Sequence, residues 1–169
     1  MSRLVAALAV AVLALALGGC TMSAESRLDE FHAEADRILA DTVAVVPEDL
    51  IAEDAFLESE PRFGPVEGSP SPSQPAWWQS RAYYNLVTET DASARAFEAV
   101  ATHLEEDGWT RSRVREIDGW ITDGFCHELD SGDWYIEVTW VPTAPDLAEI
   151  LRVLVVSPTT VRGDNESPS

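Results

Sequence analysis

The stretch DASARAFEAVATHLEEDGW, residues 91–109, decides how the chain around it is read. Phe97, Val100, Ala101 and Leu104 recur at i, i+3, i+4 and i+7, which places four apolar side chains on one face of a helix. Asp91 stands where an N-cap belongs, because a short polar side chain there can accept from an otherwise unsatisfied first-turn N–H. Gly108 stands where a left-handed residue ends a helix, and Trp109 follows it at the position that reaches back to Leu104. Start, face and stop agree on one helix.

Downstream of it the period changes from helix to strand. Trp109 to Ile117 leads into Asp118-Gly119, a two-residue hairpin signal. Trp120 to Leu129 leads into Asp130-Ser131-Gly132-Asp133, and Trp134 to Val141 then alternates with Trp134, Ile136, Val138 and Trp140 on one face. Pro142 and Pro145 punctuate, 146–149 suits a short turn, Leu151 to Ser157 forms a closing apolar strand, and 159–169 reads as a frayed tail. Upstream, Ala82 to Thr90 is rich in aromatic and branched residues and predicts a strand. The order β-α-β-β-β-β implies a two-layer α+β domain over 77–158, an antiparallel sheet of four to five strands with helices on one face. Trp134, Ile136, Val138 and Trp140 are expected to pack on Phe97, Val100 and Leu104.

The segment before that domain is helical and acidic. Ser23 to Asp41 predicts an amphipathic helix capped by Ser23, with Leu28, Phe31, Ala35, Ile38 and Leu39 on its apolar face. A second short helix is expected from Pro47 or Glu48 to Leu57. Residues 59–76 carry Pro61, Pro65, Pro70, Pro72 and Pro75 among glycines and serines, which predicts an irregular loop or linker. Too little chain precedes it to form a core alone, which favours the loop. Trp77 and Trp78 follow at once, and suit either packing at the domain edge or an exposed aromatic patch for a partner.

Charge excludes several functions. The chain has 30 acidic residues against 11 basic ones, all arginine, for a net charge of −19. Such a surface opposes nucleic-acid binding, which needs basic patches to neutralise phosphates. It equally opposes adsorption to an anionic leaflet. Arg111, Arg113 and Arg115 alternate along one predicted strand and are the one concentrated basic row; they suit pairing with neighbours such as Glu137, or an anionic partner.

No constellation in the sequence assembles a catalyst. His32, His103 and His127 lack metal-ligand spacing among themselves or with Cys126, so neither a metal nor a cofactor is expected. Cys126 and His127 are adjacent in a strand and point to opposite faces, which separates a thiol from its base. Cys126 is expected to be a buried, inert thiol. Asp130 to Asp133 lacks the calcium-loop pattern and reads as a turn. Neither a phosphate-binding glycine loop nor a Gly-x-Ser-x-Gly elbow is present, and Asn165-Glu166-Ser167 is a chance acceptor pattern. A non-catalytic binding module is therefore expected; the competing reading is a cell-envelope hydrolase using carboxylates such as Asp123 and Glu128.

The N-terminus supplies an address. Arg3 gives a positive start, Leu4 to Leu17 is unbrokenly apolar, and Leu17-Gly18-Gly19-Cys20 follows. That order resembles the bacterial lipobox, and the apolar run is shorter than the roughly 20 residues a membrane-spanning helix needs. The resemblance implies a signal peptide over 1–19, cleaved by signal peptidase II after Leu17, Gly18 and Gly19, with Cys20 acylated as the first mature residue. Two or more acyl chains give stable anchoring. The lipidated N-terminus and acidic helical segment would then occupy 20–58, about two residues separating Cys20 from the first helix. Taken with the lipobox, the acidic helix, the Pro/Ser break, the Glu-Asp-Gly-Trp helix end and the Arg-only composition resemble small envelope lipoproteins of high-GC Gram-positive bacteria. This implies an extracytoplasmic protein tethered to the cell membrane, with an envelope protein or small ligand as partner, and assigns no site residue beyond Cys20.

Overall fold

The computed structural model describes residues 25–65, 69–141 and 149–164. The signal segment, Cys20, Ser23, the turn expected at 146–148 and the Asn165 motif lie outside them. The architecture is α+β, with an antiparallel sheet covered on one face by two helices. Helix α1 is Leu28–Val43 and α2 is Ala92–Glu106. Strands β1 (Phe56–Phe63), β2 (Pro75–Asn85), β3 (Thr110–Ile117), β4 (Trp120–Leu129), β5 (Gly132–Val141), β6 (Ile150–Val156) and β7 (Thr160–Val161) form one sheet among the described residues. Its order is β1-β2-β6-β5-β4-β3, with β7 pairing β2.

Seven strands exceed the four to five expected, and the extra ones come from the stretches read as irregular. The stretch read as a loop over 59–76 is shorter than expected: β1 runs to Phe63 and β2 begins at Pro75. Proline is compatible with both places, since Pro61 sits in an edge strand and Pro75 opens its strand, where a missing N–H costs little. Leu57 belongs to β1 rather than to a second helix, which contracts to a single 3₁₀ turn, Glu48–Leu50. The tail is tied down as well. Val161 pairs with Pro75, Arg162 Nη1 donates to Gln74 Oε1 at 3.1 Å, and Gln74 Nε2 donates to the Gly64 carbonyl at 2.5 Å.

The α2 stop matches its sequence signal. Gly108 has φ +89°, its N–H bonds the Glu105 carbonyl at 3.2 Å, and the Trp109 N–H bonds that of Leu104 at 2.9 Å, the paired bonds of a Schellman stop. Asp91 occupies the N-cap but makes no side-chain cap bond. The buried carboxylate of Glu149, at the start of β6, accepts from the Ser93 N–H instead. At the β3–β4 turn, Asp118 (φ +53°) and Gly119 (φ +80°) take the left-handed conformations of a two-residue hairpin.

Both helices share one core with the sheet. Trp134, Ile136, Val138 and Trp140 are buried on the helix side; Trp140 stacks on Phe97 of α2 at 3.7 Å, and Trp134 meets Phe31 of α1 edge-on at 5.8 Å. Leu28, Phe31, Ala35, Ile38 and Leu39 are all buried, so α1 is an integral part of the domain rather than a segment ahead of it. Asp36 fixes it further by accepting from the Ser59 and Ser80 hydroxyls of β1 and β2. The helix begins at Leu28, with Glu25 to Arg27 non-helical, so the stretch between Cys20 and α1 is longer than two residues. No described helix is long and apolar enough to cross a membrane.

Candidate ligand-binding face

Strand alternation gives the sheet a second face, and neither helix covers it. Cross-strand pairing aligns Tyr83, Arg152, Thr139, Thr122 and Arg115 in one continuous row over β2, β6, β5, β4 and β3. The adjoining row holds Arg81, Leu154, Glu137 and Gly124. These residues other than Gly124, with Trp120, Ile117 and Asp118 at the β3–β4 turn, line a concavity of about 460 Å³. That volume falls in the range of small-molecule sites.

The side chains there are organised around three arginines in different states. Arg81 is engaged: Nη2 donates to Gln79 at 2.9 Å, and Glu58 and Glu60 lie at 3.4 and 3.7 Å. Arg115 makes one long ion pair, 3.7 Å to Glu137, whose Oε1 also accepts from the Tyr135 hydroxyl at 3.1 Å. Arg152 makes none among the described residues. Its guanidinium instead lies over Trp120 at 4.2 Å and Tyr83 at 5.2 Å from the ring centroids. The floor between Arg152 and Arg115 is polar, with the Thr122 and Thr139 hydroxyls hydrogen-bonded at 2.9 Å. Beside them Gly124 makes room for the Tyr135 ring, because a Cβ there would lie 2.5 Å from the Tyr135 hydroxyl.

Several residues singled out in the sequence are separated by the fold. The register shift between Arg111 and Arg113 breaks the arginine row at a bulge, where Ser112 is the extra residue. Arg111 pairs across from the buried Phe125 and ion-pairs with the fully buried Asp123, while Arg113 and Arg115 fall opposite Gly124 and Thr122 of the open face. Trp77 and Trp78 are neighbours in β2 and face opposite sides, so they form no common patch. Trp78 stacks on His32 of α1 at 4.2 Å and donates to Ser59 at 2.7 Å, which is packing at the domain edge. Cys126 is exposed rather than buried, since its parity along β4 matches Thr122 and not Phe125.

The carboxylate pair of a hydrolase is not assembled from Asp123 and Glu128. Asp123 is buried against Arg111, and Glu128 is exposed near the β4–β5 turn with the opposite parity along the strand. Neither oxygen of Asp123 has an aligned hydrogen-bond donor, so Arg111 is its charge partner. One mixed group of metal-ligating side-chain types lacks a full metal-site spacing in the sequence. Asp41 of α1 joins His103 of α2 and Asp107 at its C-cap, with Nε2 of His103 at 3.4 and 3.6 Å from the two carboxylates. The His103–Asp107 spacing of four residues was the available signal for half of it. Both aspartates are half-exposed, and their contacts with the His103 imidazole account for the arrangement.

Arg152 and Trp120 went unnoticed in the sequence. A lone arginine inside the apolar run Ile150–Val156 was the signal that this central strand has a solvated face. No protein family, curated protein or solved structure matches this chain.

Proposed function

We propose that this protein is an extracytoplasmic binding module, held at the cell membrane through acylated Cys20, whose uncovered sheet face receives the ligand. One observation carries the reading: a concavity on that face gathers Trp120, Tyr83 and Arg152, and among the described residues neither helix lies over it. The separation of Asp123 from Glu128 favours binding over hydrolysis, and the acidic surface disfavours nucleic acid as a partner.

The topology supports a definite orientation. The Arg27 backbone donates to Thr160 and its guanidinium to the Ser131 carbonyl, so the start of α1 lies at the β4–β5 turn. Trp120 is at the opposite end of β4, which runs Trp120–Leu129. At about 3.3 Å per residue those ends are roughly 30 Å apart. The chain from Cys20 to Arg27 reaches at most about 25 Å when extended. A domain tethered at Cys20 thus carries its concavity on the end far from the anchor.

The anchor is tested by metabolic labelling. Palmitate incorporation and membrane fractionation are expected for the wild type and lost in Cys20→Ser; continued labelling of that variant sinks the anchor. The binding face is tested by soaking crystals in a mixed small-molecule fragment library. Occupancy of the Trp120 concavity supports the reading, and its exclusive occupancy elsewhere overturns it.

A further inference from the structure

The three arginines that line the concavity differ in what remains for a ligand. The Arg81 Nη atoms contact Gln79, Glu58 and Glu60 while its buried Nε has no hydrogen-bond partner, and among the described residues Arg115 is held by the 3.7 Å contact with Glu137 alone. Arg152 has no carboxylate within ion-pair distance among the described residues, in a chain of net charge −19. Its contacts with Trp120 and Tyr83 use the faces of the rings. A guanidinium stacked on an aromatic face keeps its N–H donors in its own plane, directed at its edge. That edge matches an oxyanion bidentately.

The floor adds a donor. In the Thr122–Thr139 pair one hydroxyl donates to the other, and the second O–H is left to donate outward. Arg152 and Arg115 stand on either side of this pair in one cross-strand row. The Arg152 and Arg115 cations, the outward hydroxyl of the threonine pair and an aromatic wall therefore converge on one concavity, whose lining also holds the Glu137 and Asp118 carboxylates.

We infer that the open face recognises a small molecule through an oxyanion group, a phosphate, sulfate or carboxylate, with the Arg152 edge as its principal anchor and Arg115 and the threonine pair completing the cradle. This rests on the open face being the binding surface. The same chemistry is offered by a soluble ester and by a phospholipid headgroup, and the position far from Cys20 favours the soluble source.

The test uses the full chain in detergent, with phenyl phosphate, phenyl sulfate and benzoate as anionic probes and phenol as the neutral one. Calorimetry and tryptophan fluorescence are the readouts, with Trp120→Phe identifying the reporting ring. At least one anion is expected to bind tenfold or more tighter than phenol. R152Q should lose at least that factor, R152K should restore part of it, and R115Q should lose less. R37Q, on the helix side, should change nothing, and circular dichroism checks that each variant is folded. If phenol binds as well as the anions and R152Q has no effect, the oxyanion assignment is overturned while the binding face stands. If no probe binds and the Trp120 signal never moves, both fall. Arg152-dependent binding to phosphatidylglycerol vesicles, without binding to phosphatidylcholine vesicles or soluble probes, upholds the oxyanion chemistry and moves its source to a lipid.

Discussion

The buried carboxylate of Glu149 accepts a hydrogen bond from the Ser93 backbone N–H, joining the start of β6 to the first turn of α2. The contact spans 56 positions of sequence and takes the place of the local cap that Asp91 does not make. A carboxylate at a helix N-terminus satisfies an orphan donor and opposes the positive end of the helix dipole. Glu149→Ala is expected to lower unfolding free energy by about 1–2 kcal/mol. Asp91→Ala should cost less than about half of that. Urea denaturation of the two variants decides it, and a larger loss for Asp91→Ala would restore the local cap.

Arg111 covers the one fully buried carboxylate of the sheet's helix face, Asp123. Removing the cation leaves a charge without a partner in a dry site. Arg111→Ala should destabilise by about 3–5 kcal/mol. Adding Asp123→Ala in the same chain should recover a part of that loss, because the stranded charge goes with it. A double-mutant cycle in denaturant measures the coupling, and strictly additive losses would show that the pair is independent.

Gly124 is constrained by contact rather than by backbone conformation. A Cβ at this position meets the Tyr135 hydroxyl at 2.5 Å and ring atoms at 3.0 and 3.1 Å. Gly124→Ala is expected to displace the ring and to cost about 1–3 kcal/mol. The cost should shrink when measured in a Tyr135→Ala background. Equal costs in the two backgrounds would place the strain elsewhere.

Tyr84 is buried beneath α1, and burial raises its phenol above the ordinary value of 10.0. The folded chain therefore keeps the proton over a range where the unfolded chain has released it. Its contribution to stability is complete below pH 10 and is lost as pH rises through the higher folded value. Tyr84→Phe should flatten the alkaline fall in melting temperature while leaving neutral stability nearly unchanged. An identical alkaline limb in wild type and variant would assign that fall to other groups.

Local patterns carried the helix and hairpin elements because their causes are local. The α2 face and its Gly108–Trp109 stop depend on neighbours within a few residues, as does the Asp118-Gly119 turn. The same holds for the alternation of Trp134, Ile136, Val138 and Trp140, which identifies a half-buried strand without knowledge of its partners. Proline content misled at β1 and β2, because an edge position that tolerates Pro61 exists only once the sheet is assembled.

The amino-acid sequence by itself determined an acidic α+β domain and a lipobox-like start, since composition, periodicity and turn chemistry are properties of short segments. Only the tertiary structure decided which polar residues meet. A bulge at Ser112 parts Arg111 from Arg115, and one strand's parity sends Trp77 and Trp78 to opposite faces. Insertion of β6 between β2 and β5 carries Arg152 to Trp120 and Tyr83, which lie 32 and 69 positions away along the chain. Strand order and register are settled by burial of a common core, and they bring together residues on the opposite face whose spacing in sequence holds no trace of the meeting.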